Sequence, residues 1–152
     1  MADTILVINV KDGTIINEID LLPIISSHPI LSKKIGYSKK IFSKLKTDRE
    51  DGYFGSLFLG PSYCDDLTHL NDIKILNEEN LKYFNNGKVG DLLLSVHTMD
   101  TIVLIDHESL KIKWYLRENF KRQHSPSITK NGMILVFDNK GGSKKFGKTR
   151  IV

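Results

Sequence analysis

The sequence has 152 residues, 40% of them hydrophobic and 26% charged, which supplies apolar side chains for one ordinary core and argues against a disordered chain. The net charge of +4 is a mild basic excess, not the dense basic stripe of a nucleic-acid binder, so no nucleic-acid partner is predicted. Cys64 is the single cysteine and reads as a buried thiol, excluding a disulfide or a cysteine metal cluster within these residues; no basic n-region or long apolar run predicts a signal peptide or membrane span.

Taken in order, the chain opens on a β-branched run, Asp3-Thr4-Ile5-Leu6-Val7-Ile8-Asn9, followed by a polar turn and a second run at Thr14-Ile15-Ile16, a predicted hairpin over residues 3–20. Residues 21–66 fit no repeat, contain Pro23, Pro29 and Pro61 and several lysines, and read as an insertion. Within it Ser38 to Leu45 has the spacing of a short basic helix with Ile41, Phe42 and Leu45 inward. Next come a histidine-led segment, His69-Leu70-Asn71-Asp72-Ile73, and a glycine-led apolar run, Gly90-Asp91-Leu92-Leu93-Leu94-Ser95. Asp100-Thr101-Ile102-Val103-Leu104-Ile105-Asp106 then repeats the opening segment 97 positions further on, and Lys111-Ile112-Lys113-Trp114-Tyr115-Leu116 completes its hairpin. His124-Ser125-Pro126-Ser127-Ile128 and Asn131-Gly132-Met133-Ile134-Leu135-Val136 repeat the histidine-led and glycine-led pieces, and Thr149-Arg150-Ile151-Val152 occupies the place of the Asp-Thr-Ile strand in the next unit.

Four such pieces make one blade of a β-propeller. The predicted fold is all-β, part of a propeller of about two four-stranded antiparallel blades: residues 69–118 a complete blade, 3–20 the last two strands of another, 124–152 an incomplete third. A complete small β-sandwich with chance similarity between its hairpins is the alternative. Because the repeat units are incomplete the chain is read as a fragment, and its open blade edges predict self-association.

His69 and His124 each open a first strand, the one that lines a propeller's channel, and His97 follows a second strand at the turn into the third. A neutral imidazole nitrogen at these positions can act as nucleophile or base. Arg122 lies two residues before His124, so strand alternation predicts both on the channel face, with Gln123 turned away. Asn139, before Gly141-Gly142, reads as turn chemistry and as a possible ligand contact at the channel rim. Trp114 and Phe137 read as core, His28 and His107 as surface. The spacing of His69, His97 and His124 matches no compact ligand motif, and neither a metal nor a cofactor is predicted.

Gln123-His124-Ser125-Pro126 followed by Asn131-Gly132-Met133-Ile134-Leu135-Val136-Phe137-Asp138-Asn139 resembles the signature of the arylsulfotransferases, and His69-Leu70-Asn71-Asp72 and residues 90–114 resemble further elements of that family. The resemblance implies a six-bladed propeller in a periplasmic or secreted parent, with an aryl sulfate as donor and a phenol as acceptor. It implies that His124 carries the sulfuryl group covalently, that His69 assists as acid, base or donor, and that His97 meets the substrate; Arg122 beside His124 and Asn139 at the rim are expected to contact substrate from their own positions. His97 stands where the family places an arginine and Ser125 where it places an aspartate. The alternative is a non-catalytic propeller that binds a ligand or protein on its channel face.

Overall fold

The computed structural model describes residues 3–35, 67–117, 120–139 and 148–152. The expected basic helix and Cys64 lie outside them. The chain forms two compact units, Met1–Thr68 and His69–Val152.

In the first unit, β1 (Thr4–Ile8) and β2 (Ile15–Asp20) pair antiparallel. Their turn is built by short polar side chains: the Asn9 Oδ1 accepts the Lys11 N–H, and Asp12 accepts both the N–H and the hydroxyl of Thr14. The chain then enters α1 (Leu21–Ser27), which buries Leu21, Ile24 and Ile25. Pro23 sits in its first turn, where a missing N–H costs nothing. Part of the segment expected as an insertion is therefore helical.

The second unit contains β3 (Leu70–Ile75), α2 (Glu78–Leu81), β4 (Leu92–Val96), β5 (Thr101–Ile105), β6 (Ile112–Arg117), β7 (His124–Ile128), β8 (Ile134–Asp138) and β9 (Arg150–Ile151). β3 to β6 form one antiparallel sheet in sequential order, and β7-β8-β9 form a second. The two central strands, β4 and β5, are buried along their whole length, which is why they read as continuous apolar runs and not as alternating ones. Leu93 on β4, Ile102 and Leu104 on β5, and Val136 on β8 meet in one core with Leu76 and Phe120, flanked by Trp114. Phe137, expected in the core, is 43% exposed; strand alternation turns it to the opposite side from Val136.

The β1–β2 and β5–β6 hairpins share more than sequence. Each has a register shift at the same place, between Val7 and Ile8 in one and between Leu104 and Ile105 in the other, and Ile8↔Ile15 corresponds to Ile105↔Ile112. The β3–β4 and β7–β8 pairs also correspond, but not as the histidine-led alignment expects. Gly90 and Gly132 occupy the same left-handed place before the second strand, with φ of 94° and 82°. Their N–H groups bond the carbonyls of Leu76 and Thr129. Counting back along the first strands from those two residues sets His69 against Arg122, both left-handed at φ of 46° and 48°, and Asn71 against His124. His69 and His124 are thus two positions out of register.

At the opposite end of β4 from His97, a charged cluster closes the sheet. The Asp91 carboxylate is fully buried and takes the Lys113 ammonium at 2.6 Å and the Lys88 N–H at 2.7 Å. Lys113 also reaches Asp106 at 2.9 Å. Burial works against the Asp91 charge, but Lys113, the Lys88 N–H and His107 outweigh it and hold its pKa below the ordinary value. His107 packs its ring over Gly90, where an added Cβ would stand 3.2 Å from it.

Candidate functional site

Three strand ends bring three histidines together. The His97 N–H donates to the His69 carbonyl at 3.1 Å, continuing the β3–β4 ladder by one step beyond its last pair, Leu70 and Val96. His97 opens a single 3₁₀ turn, His97–Met99, closed by Asp100 in the left-handed region at φ of 50°. The resulting row has the His97 ring in the middle, 4.6 Å from the His69 ring centroid and 5.2 Å from that of His124. The row continues to Phe137, whose ring meets His124 edge to face at 6.3 Å.

The three rings differ in environment. His97 is 4% exposed, whereas His69 and His124 are half-buried. Burial, followed by the like charges of His69, His124 and Arg122, pushes the His97 pKa down to about 4, with Asp100 working the other way. Burial and then His69 lower the His124 pKa as well. His97 and His124 are therefore biased toward the neutral imidazole, the form with a lone pair to give. The His97 Nδ1 has no hydrogen-bond partner among the described residues.

Gln123 positions His124, and here strand alternation misleads. Arg122 is exposed and left-handed, outside β7, so it does not share a strand face with His124. Its charge is felt at His97, and its N–H bonds the Asp100 carboxylate at 2.8 Å. Gln123 points inward: its fully buried amide donates to the Ser95 hydroxyl at 3.1 Å and to the Thr101 carbonyl at 2.9 Å. Its own carbonyl accepts from the Asn71 amide at 2.8 Å. Asp138, buried at the end of β8, accepts the Lys121 N–H at 2.8 Å and the Arg150 guanidinium at 3.0 Å. Asp100 holds the Lys121 ammonium at 3.1 Å. The segment from Lys121 to Gln123 is thus pinned at each residue, and His124 leaves it with little freedom.

Of the five expected site residues, the structure brings His69, His97 and His124 into one row, with Arg122 near enough for its charge to act on His97. Asn139 follows β8, half-buried, at the register place that His97 holds after β4. Sequence reasoning missed Ser95, Asn71 and Asp100. Only the left-handed tendency of Asp at a turn was available as a signal for the last. Among the described residues no group of three or more ligating side chains is arranged to hold a metal ion, and no helix is long and apolar enough to cross a membrane.

Antiparallel sheets of two to four strands define an all-β protein, and three of its strand ends gather imidazoles into one row. The chain belongs to the arylsulfotransferase (ASST) family, whose model matches residues 1–151. No curated protein and no solved structure matches it.

Proposed function

We propose that this protein transfers a sulfuryl group from an aryl sulfate ester to a phenol through a covalent sulfohistidine at His124. The family membership makes the function arylsulfotransferase-like. The observation that carries the finer reading is the row of three imidazoles, the middle one buried and neutral. In this reading the sheets are propeller blades: residues 69–118 a complete one, 3–20 the last two strands of another, 124–152 the start of a third, and 21–66 an insertion. The matched register shifts of the two hairpins support it.

In the first half-reaction an imidazole nitrogen of His124 attacks sulfur; the N–S bond forms, the S–O bond to the aryl group breaks, and the phenolate leaves with a proton from His69. In the second, His69 takes the proton of the acceptor phenol, whose oxygen attacks sulfur and releases the neutral imidazole. His97 and Arg122 stabilise the sulfuryl oxygens and Asn139 contacts the substrate at the rim. The lowered pKa of His124 suits the attacking role, because the nucleophile must be unprotonated.

Incubation with p-nitrophenyl sulfate alone should release one equivalent of phenol in a burst and add the mass of one SO3 group to a peptide containing His124. A phenol should then discharge the label. His124→Ala should lose both burst and label, while His69→Ala should slow the burst and leave the label on His124. Absence of burst and label with several aryl sulfates would leave the non-catalytic binding propeller as the better reading.

A further inference from the structure

The middle ring of the row combines three properties: it is buried, its Nδ1 has no partner among the described residues, and an imidazole stands on each side of it. A buried polar atom left unsatisfied is costly, so a ligand that hydrogen-bonds there is favoured by relief of that cost. We propose that His97 is a proton-coupled anion receptor: a tetrahedral oxyanion of the sulfate class entering the row brings a proton onto His97 and accepts a charge-assisted hydrogen bond from its Nδ1. The proposal rests on the reading of this row as the place that holds the sulfuryl group.

Among the described residues, His69, His124, Arg122 and Asp100 act on the His97 charge. His69 precedes β3, His124 opens β7, and Arg122 precedes it; all three disfavour a proton on His97. Asp100 favours one, but its carboxylate is already engaged by the Lys121 ammonium and the Arg122 N–H. Asp72 on β3 is paired with Lys74 at 3.2 Å. With its pKa pushed down to about 4, the empty ring at pH 6 carries a proton in roughly one molecule in a hundred. An anion in contact reverses the balance, since an opposite charge within about 4–6 Å raises a histidine pKa by roughly 1–3 units.

Linkage then fixes the behaviour. Between the free and the bound pKa, each anion captured takes up about one proton, and affinity falls about tenfold for each unit rise in pH. A guanidinium in the same place would bind with no proton uptake and no such slope. The charge of the middle ring thereby appears only when the anion does, leaving one cation fewer beside His124 when the site is empty.

The test uses the 152-residue chain and inorganic sulfate, which does not titrate in this range. Histidine side-chain NMR signals are followed from pH 4 to 8 in sodium chloride and in sodium sulfate at equal ionic strength. Saturating sulfate should raise the His97 midpoint by about one unit or more and leave His28 and His107 unmoved. Calorimetry at pH 5.5 in buffers of different ionisation heat should give an uptake of about 0.2 proton per sulfate for a midpoint raised by one unit, rising to about 0.9 for one raised by three. His97→Gln should lose the uptake, and His97→Arg should bind sulfate without it. Should His97→Gln fail to fold, the wild-type NMR titration decides alone. Sulfate binding with an unmoved His97 midpoint, or no sulfate binding, overturns the proposal. Sulfuryl labelling of His124 with an unmoved His97 keeps the transferase reading and discards this one; a raised His97 midpoint without labelling does the reverse.

Discussion

Replacing Gln123 by alanine should destabilise the protein by about 2–3 kcal/mol, and the figure can be assembled from its contacts. The amide nitrogen makes two hydrogen bonds, to Ser95 and to the Thr101 carbonyl, both at buried partners, worth together about 2 kcal/mol. Removing four heavy atoms from a fully buried position leaves a cavity costing roughly another 1–2 kcal/mol, less than a Leu→Ala change because the lost group is partly polar. Against this, the Gln123 Oε1 is buried without a partner among the described residues, and its removal returns about 1 kcal/mol. Urea unfolding monitored by the fluorescence of Trp114 gives the difference directly, with an unchanged m-value as the condition for reading it. Gln123→Met separates the contributions: it keeps the volume, loses both bonds and also loses the unpartnered oxygen, so it should cost about 1 kcal/mol. A Gln123→Ala variant within about 0.5 kcal/mol of the wild type would refute the claim that this amide ties β7 to the ends of β4 and β5.

The charged cluster at the other end of β4 gives a pH-dependent test. Lys113→Met should cost of the order of 3 kcal/mol at pH 7, because the buried Asp91 carboxylate loses its partner. The folded pKa of Asp91 lies below its ordinary 3.8, so its contribution is present above that pH and is lost as pH falls through the folded value; Lys113, raised above 10.5, contributes below that pH and loses its contribution as pH rises past it. The gap between wild type and Lys113→Met, followed by urea unfolding, should therefore hold from pH 7 to 4 and narrow only below pH 3.8, and a gap that stays constant as pH falls well below 3.8 would show that the ion pair is not its source. At the turn before β8, Gly132→Ala should cost about 2 kcal/mol, combining a φ of 82° with a Cβ only 2.5 Å from the Tyr83 ring. In a Tyr83→Ala background the steric part should vanish and the backbone part remain, so an equal cost in both backgrounds would contradict the clash. Finally, His97→Arg should speed sulfuryl transfer if a fixed cation is what the row lacks, measured as the burst rate with p-nitrophenyl sulfate.

The strands were legible because their apolar runs are long and bounded by polar turns: Leu92–Val96 and Thr101–Ile105 could be recognised without any contact information. The position of β9 beside β8 followed from counting repeats, and Arg150–Ile151 pairs there. What alternation could not supply was backbone handedness. His69, Asp100, Arg122 and Ser125 all have positive φ, and such residues break the two-residue period on which face assignments rest. For that reason Arg122 was expected on a shared face with His124, whereas the structure has it exposed and left-handed before β7; Gln123, expected to turn away from that face, is buried.

The same left-handed residues explain why the site exists where it does. A strand that ended in regular extended backbone would carry its last side chains to alternate faces, and three strand ends would scatter their histidines. Here His69 turns at φ of 46° as it enters β3, the 3₁₀ turn at His97 stops at Asp100, and Arg122 turns at 48° just before His124. Each turn is secured by a polar contact: the His97 N–H to the His69 carbonyl, the Arg122 N–H to Asp100, and the Gln123 amide to Thr101. A non-glycine residue in this region costs of order 1–3 kcal/mol and persists where its surroundings fix it. Loosening one anchor should therefore act on ring placement more than on global stability. Asp100→Asn, which keeps the size but removes the charge holding Lys121, is expected to lower stability by less than about 1 kcal/mol, since the Lys121 end is exposed. It should nonetheless disturb the His97 and His124 NMR signals. If those signals stay where they are in the wild type while Gln123→Ala shifts them, the row is held from the core side by the buried amide and not from the turn by Asp100.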